Sequence, residues 1–183
     1  MHYQPEKTTS PDAGYFVHQY LVANLIAKSL PKYMNLYIKE HPAQFSADRF
    51  GEQGRRPRDY ADYVNLGNVK LISMSMDQFD LVDNAAAVAT INGTVGWESL
   101  VRGTPVLTFG QPWYASCPGC YTVKNKEDVT ESINHILSNQ KVEISDVLEF
   151  AGLVESKSLN FKPNLKNAKI LAKKIATEAK LNY

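Results

Sequence analysis

The sequence predicts an α/β fold, a Rossmann-like parallel sheet flanked by helices, on three observations. Short apolar runs such as "NLYIK", "NVKLIS", "AVATI" and "PVLTF" recur along the chain. Stretches of helical periodicity separate them, and alternation of this kind implies parallel pairing through crossover helices. The chain is 183 residues long and 44% hydrophobic, the size of one ordinary domain, which buries roughly 70% of its unfolded surface.

The elements follow in order. Leu21, Val22, Leu25, Ile26 and Leu30 recur at helical spacing within 16–30, and Pro31 ends the pattern. A strand is predicted over 36–39, closed by Glu40, His41 and Pro42. Residues 43–58, "AQFSADRFGEQGRRPR", read as a long polar loop before a short helix at 59–65. A strand at 69–73, a helix at 77–84, a strand at 88–91, a helix at 95–101 and a strand at 105–109 come next. "CYTVK" suggests an edge strand, 126–137 a further helix, and 163–180 an amphipathic terminal helix with lysines on its outer face. No linker or repeat divides the chain, so 1–183 reads as a single domain. Such a domain ordinarily opens on a strand, yet this chain opens on the polar "HYQPEKTTSPDAG". A missing first strand, or the later half of a larger protein, is the expectation.

Composition narrows the function. A formal net charge of +1 gives no reason to expect a nucleic-acid partner. No apolar run reaches the roughly 18 residues of a membrane span, and the first residues lack the pattern of a signal peptide, so a cytoplasmic location is expected. Cys117 and Cys120 in "SCPGC" match C-x-x-C, but no second cysteine pair exists and the four histidines are scattered. They read as ordinary loop cysteines rather than zinc or redox ligands. No carboxylate cluster stands at a strand end, so no metal is expected.

The loop "INGTVG" poses the functional question. Ligands of open parallel sheets bind beyond the carboxyl ends of the strands, where loops enter helices. Gly93 and Gly96 allow close backbone approach, Thr94 offers a hydroxyl as cap or ligand donor, and the following helix N-terminus favours an anion such as phosphate. Glu98, in the first turn, either complements the helix dipole or reaches a ribose hydroxyl. Glycine fingerprints of the G-x-G-x-x-G and Walker types are absent. His41 ends another strand, beside Glu40 and Pro42, and an imidazole there can donate to a phosphate oxygen. Ser73 and Ser75 follow a third strand end, where they line the crevice or cap the next helix. Gln4, Glu6, Thr8 and Thr9 in the opening loop are further lining candidates. Arg55, Arg56 and Arg58 either contact an anion or decorate a solvated loop.

In order along the chain, "HYQPEKTTSP", "YIKEHPAQF", "NVKLIS" and "ATINGTVGWESLVRGTPVLTFGQPWY" resemble the capsule polysaccharide biosynthesis family. These are bacterial glycosyltransferases of the GT-B type, including the Kdo transferases that build the lipid linker of exported capsules. The likeness covers most of residues 2–123. It implies a two-domain enzyme of which this chain is the C-terminal, nucleotide-sugar-binding half. Carried over, His41 with Pro42, and Gly93 with Thr94, would hold the donor phosphate, and Glu98 would bind ribose. The general base would lie in the N-terminal half, leaving no catalytic residue in this chain. Gly96, Glu40, Ser73 and Gln4 complete the donor-binding candidates.

The implied donor is a nucleotide sugar, CMP-linked by preference and plausible as CMP-Kdo, with no cofactor. The implied partners are a glycan or glycolipid acceptor, the N-terminal half, and the inner face of the membrane. Cys117 and Cys120 depart from the family pattern. Two rival readings stand beside this one: a UDP-sugar 2-epimerase-like enzyme, and a non-catalytic glycan-assembly module with a degenerate nucleotide pocket.

Overall fold

The computed structural model describes residues 1–4, 9–46, 54–139 and 141–158. It is an α/β Rossmann-like arrangement of parallel strands and flanking helices. The elements run α1 (Gln19–Ser29), β1 (Leu36–Lys39), α2 (Pro57–Val64), β2 (Val69–Ile72), α3 (Gln78–Asp83), β3 (Val88–Thr90), α4 (Thr94–Val101), β4 (Val106–Thr108), β5 (Cys120–Thr122), α5 (Lys126–Asn139) and α6 (Ile144–Lys157). One compact unit spans Met1–Val147 and a second begins at Leu148. Of the second, only the end of α6 and Ser158 are described. The helix predicted at 163–180 lies outside the described residues.

Every pairing is parallel. β1 pairs with β2, Leu36 opposite Val69, while β3, β4 and β5 form a second ladder in that order, Val88 opposite Val106 and Val106 opposite Cys120. Residues 1–4 pass between the two ladders. The Met1 nitrogen donates to the Lys39 carbonyl on the β1 side. The His2 ring meets Thr90 and Ile91 on the β3 side.

Burial explains why these runs are strands. All three residues of β4 are buried, as expected for a central strand covered on both faces. Leu107 belongs to the main core with Ile26 from α1 and Val129, Ile133 and Ile136 from α5. Alternation turns Val106 and Thr108 to the other face. α4 packs against β3 and β4 and supplies Leu100, which is fully buried. A smaller core joins Ala23 and Ala27 of α1 to Ile38, Tyr63 and Val69.

Several boundaries differ from the sequence reading for local reasons. The first helix is split: a 3-10 turn covers Gly14–Val17, and His18, with ψ 84°, separates it from α1. The polar stretch after β1 opens with a 3-10 turn at Pro42–Phe45. α2 starts at Pro57, because proline suits the first helical position and the Arg56 N–H donates to the Asp59 carboxylate at 2.7 Å. Gly93, not Thr94, is the N-cap of α4, and Thr94 is its first residue. α6 was not anticipated, although Ile144, Val147, Leu148, Ala151 and Val154 recur at helical spacing; Val147 is its one buried residue.

The β4 to β5 connection, residues 109–119, contains no helix and runs beside α4. At its midpoint the Tyr114 hydroxyl donates to the Gly93 carbonyl. At its end a Cβ on Gly119 would meet Leu100 and Val142. This route sets the loop's first half against the α4 N-terminus.

Candidate functional site

The carboxyl ends of β1 and β3 carry the residues singled out above, and the structure sorts them into two groups. One group faces outward. His41 is exposed; its Nδ1 accepts the Ala43 N–H at 3.1 Å. That bond requires a lone pair on Nδ1, so in the neutral ring the proton sits on Nε2, which can donate. The Tyr3 ring lies 6.2 Å from the imidazole. Pro42 is exposed and opens the short turn that places Ala43 under the ring.

Thr94 is exposed at the start of α4, where the first N–H groups of a helix have no intrahelical acceptor. Glu98, one turn on, accepts from the Gln78 amide at 2.5 Å, which links α4 to α3. Ser73 is exposed beyond β2, its hydroxyl 2.7 Å from that of Ser75 and accepting the Ser75 N–H at 3.2 Å. There it shapes a turn.

The other group faces inward. Glu40 is buried, and its carboxylate accepts from Arg55 Nε at 2.8 Å, Tyr60 hydroxyl at 2.9 Å and the His41 N–H at 2.8 Å. Arg55 is equally buried and donates onward to Gln4 Oε1 at 2.8 Å and the His2 carbonyl at 3.0 Å. Burial works against its charge, but Glu40 outweighs it and holds the guanidinium pKa above its ordinary value. Burial and the Glu40 contact raise the Tyr60 phenol. Gln4 also donates from Nε2 to the Val17 carbonyl at 2.6 Å, and its N–H reaches Gln44 at 3.1 Å. This network fixes residues 2–4 and 40 beneath His41. Glu6 and Thr8 lie outside the described residues, and Thr9 is fully buried.

The glycines have neighbours of their own. A Cβ on Gly93 would stand 2.8 Å from Thr90 Oγ1 and 3.2 Å from His2 Cε1, and one on Gly96 only 2.2 Å from the Tyr114 hydroxyl. The space over Gly96 is filled by this buried phenol. Thr90 Oγ1 accepts the Gly93 N–H at 3.1 Å, which pins the turn to β3.

Sequence reasoning missed four contributors: His2, Arg55 as an ion-pair partner, Tyr114 and Trp113. His2 accepts the Ile91 N–H on Nε2 at 3.0 Å and stands 3.0 Å from Thr90 Oγ1. Burial, with positive charge nearby, depresses its pKa from 6.5 to about 4, so it is a neutral acceptor at pH 7. Two histidines thus stand close together, one neutral and enclosed, the other outward.

Two small cavities lie at the other end of the strands, one beside Pro105, Gly119 and Lys141, the other beside Asp83, Arg102 and Thr104. Neither contains the residues above. "CPGC" forms a turn, Cys120 N–H to Cys117 carbonyl at 3.0 Å with Gly119 at φ 84°. Burial pushes the two free thiols up to about 11 and about 12, far from the range of reactive thiolates. Among the described residues no cluster of histidine, cysteine or carboxylate side chains has the geometry to hold a metal ion, and no helix is long and apolar enough to cross a membrane.

Parallel strands, a helix N-terminus at one strand end and an outward imidazole at another define a Rossmann-like domain with a polar carboxyl edge. The chain belongs to the capsule polysaccharide biosynthesis protein family, whose profile matches residues 11–131. It is similar to two capsule polysaccharide modification proteins LipA of Neisseria meningitidis. The serogroup A protein is 27% identical over 81 residues, 44% of this chain and 10% of the relative. The serogroup B protein is 24% identical over 131 residues, 71% of this chain and 17% of the relative. Protein FixF of Sinorhizobium fredii is 38% identical over 77 residues, 42% of this chain and 16% of the relative. The chain thus matches at most about a sixth of the length of these relatives. No solved structure matches.

Proposed function

We propose that this chain is the donor-binding part of a bacterial glycosyltransferase in capsule or surface polysaccharide synthesis, taking a CMP-linked sugar, with Kdo the favoured one. One observation carries the reading: the exposed His41, its Nδ1 engaged by the Ala43 N–H, stands at the end of β1, while α4 presents Thr94 and its first N–H groups at the end of β3. Membership of the capsule family supports the biosynthetic role.

In this reading the donor phosphate sits over the α4 N-terminus, its oxygens receiving the Thr94 hydroxyl, helix N–H groups and the His41 proton. Glu98 faces the ribose, Gln78 setting its carboxylate. When the bond between the anomeric carbon and the phosphate oxygen breaks, negative charge grows on the leaving phosphate. Donors already in place stabilise that charge without reorganising. The acceptor hydroxyl and the base that takes its proton belong to the N-terminal half. Glu40, Gln4 and Arg55 keep His41 in position rather than touching the donor.

Calorimetry of the 183-residue chain with CMP, UDP and GDP tests the reading. Binding of CMP in preference to the others is expected, without turnover of a CMP-sugar. UDP preference would favour the epimerase-like alternative, and no nucleotide binding the non-catalytic module.

A further inference from the structure

Both tryptophans of the chain, Trp97 and Trp113, meet at the edge that carries Thr94. Their ring centroids are 4.7 Å apart at 50°, and Trp113 packs edge-on against Tyr114 at 5.5 Å and 88°. Tyr114 is buried and bonded to the Gly93 carbonyl, so the loop holding Trp113 is tied to the turn that begins α4. Trp113 itself is 57% exposed, although its neighbour Tyr114 is enclosed. Trp97 lies three residues after Thr94 in α4. Residues three apart share a helix face, and helical side chains lean toward the N-terminus. The indole pair therefore flanks the α4 N-terminus.

We propose that Trp113, backed by Trp97, is a stacking platform for a pyranose ring. The negative face of an indole attracts the weakly positive C–H groups on the apolar face of a sugar. A platform held rigid by Trp97 and Tyr114 loses little side-chain entropy when a ring settles on it. A large aromatic kept half in water beside an anion-favouring helix end suits a ligand that joins a phosphate to a sugar, and equally an incoming glycan. The chemistry recognised is the same; the sources are the donor's own sugar and the acceptor. The inference deepens the donor-binding reading and rests on it for the position of the phosphate.

Because these are the chain's two tryptophans, its tryptophan fluorescence reports on the platform alone. The full chain, Trp113→Ala and Trp113→Phe are each titrated with CMP, with CMP-Kdo and with a Kdo disaccharide glycoside, by calorimetry and, where a tryptophan remains, by fluorescence. A sugar probe is expected to quench the parent and to lose at least about tenfold in affinity in Trp113→Ala. Trp113→Phe, which retains a ring, should recover most of that loss, and CMP affinity should be equal in all three. Selective loss of CMP-Kdo identifies the donor sugar as the occupant; selective loss of the glycoside identifies the acceptor. Equal binding of both sugar probes by parent and Trp113→Ala overturns the platform, as does a parent that binds CMP-Kdo no more tightly than bare CMP and does not bind the glycoside. If the glycoside binds through Trp113 while no nucleotide binds, the donor reading fails and the platform stands.

Discussion

Two arginine–carboxylate pairs sit at opposite ends of the strands. Arg55 and Glu40 lie at the carboxyl end, with side chains only 6% and 7% exposed. Arg102 and Asp83 lie at the amino end, joining the ends of α4 and α3, with side chains 37% and 42% exposed. The exposed pair is bidentate, Arg102 donating from Nε to Asp83 Oδ1 and from Nη2 to Oδ2, and it also lays its guanidinium over the Phe79 ring. Geometry alone would rank it first. Burial reverses the order: water screens the exposed pair, whereas the buried carboxylate has no solvent to fall back on if its cation is removed. The carboxyl edge is thus built on a polar network that cannot be dismantled piecemeal, and the amino edge on contacts that can.

The largest effect is expected for Arg55→Ala. It strips the cation from Glu40 and the donors from Gln4 and His2, and breaking a buried pair costs about 3–5 kcal/mol. Denaturant unfolding should register the loss, and the double variant Arg55→Met with Glu40→Leu should recover much of it. An Arg55→Ala protein as stable as the parent would erase the contrast between the two pairs.

Next comes His2. Its folded pKa of about 4 lies below the ordinary 6.5, so between these values the unfolded chain binds the proton and the folded chain does not. Stability is therefore fully present above pH 6.5 and falls as pH drops toward 4, by up to about 3 kcal/mol. His2→Gln, which keeps an acceptor for the Ile91 N–H, should flatten that slope in melting curves taken across the window.

Gly96→Ala should cost about 1–3 kcal/mol by overpacking against Tyr114, and Tyr114→Phe, which removes the clashing hydroxyl, should soften the penalty. Smallest of all, Arg102→Ala should barely move the melting temperature, and 0.5 M salt should remove what difference there is.

The same contrast governs what the sequence could disclose. Strands β1 to β4 were legible because each is an apolar run bounded by proline, glycine or polar residues, as Pro42 and Pro105 bound theirs. His41 and the Gly93–Thr94 turn were legible as positions, because a strand end is a local feature. The network beneath them was not. Arg55 and Glu40 are 15 residues apart, Tyr114 and Gly93 are 21 apart, and no periodicity marks either pair. Arg55 in "GRRPR" looks like any solvated arginine until the chain folds over it. Gly96 invited a reading as open backbone, yet a phenol from a distant loop lies against it. α6 was legible as well and was passed over: Ile144, Val147, Leu148, Ala151 and Val154 recur at helical spacing.

The central claim is that His41 and Thr94 hold one anion between two strand ends. Neither is part of the core: both are exposed, Thr94 is the first residue of α4 rather than its cap, and His41 makes one local bond, accepting the Ala43 N–H that caps the short turn after β1. Calorimetric titration of CMP into the parent chain, His41→Ala and Thr94→Val, paired with melting curves, tests this most directly. Each variant should lose about ten- to a hundred-fold in CMP affinity, the cost of a charge-assisted hydrogen bond, while melting close to the parent. Variants that bind CMP as the parent does but melt well below it would make His41 and Thr94 structural residues and contradict the account.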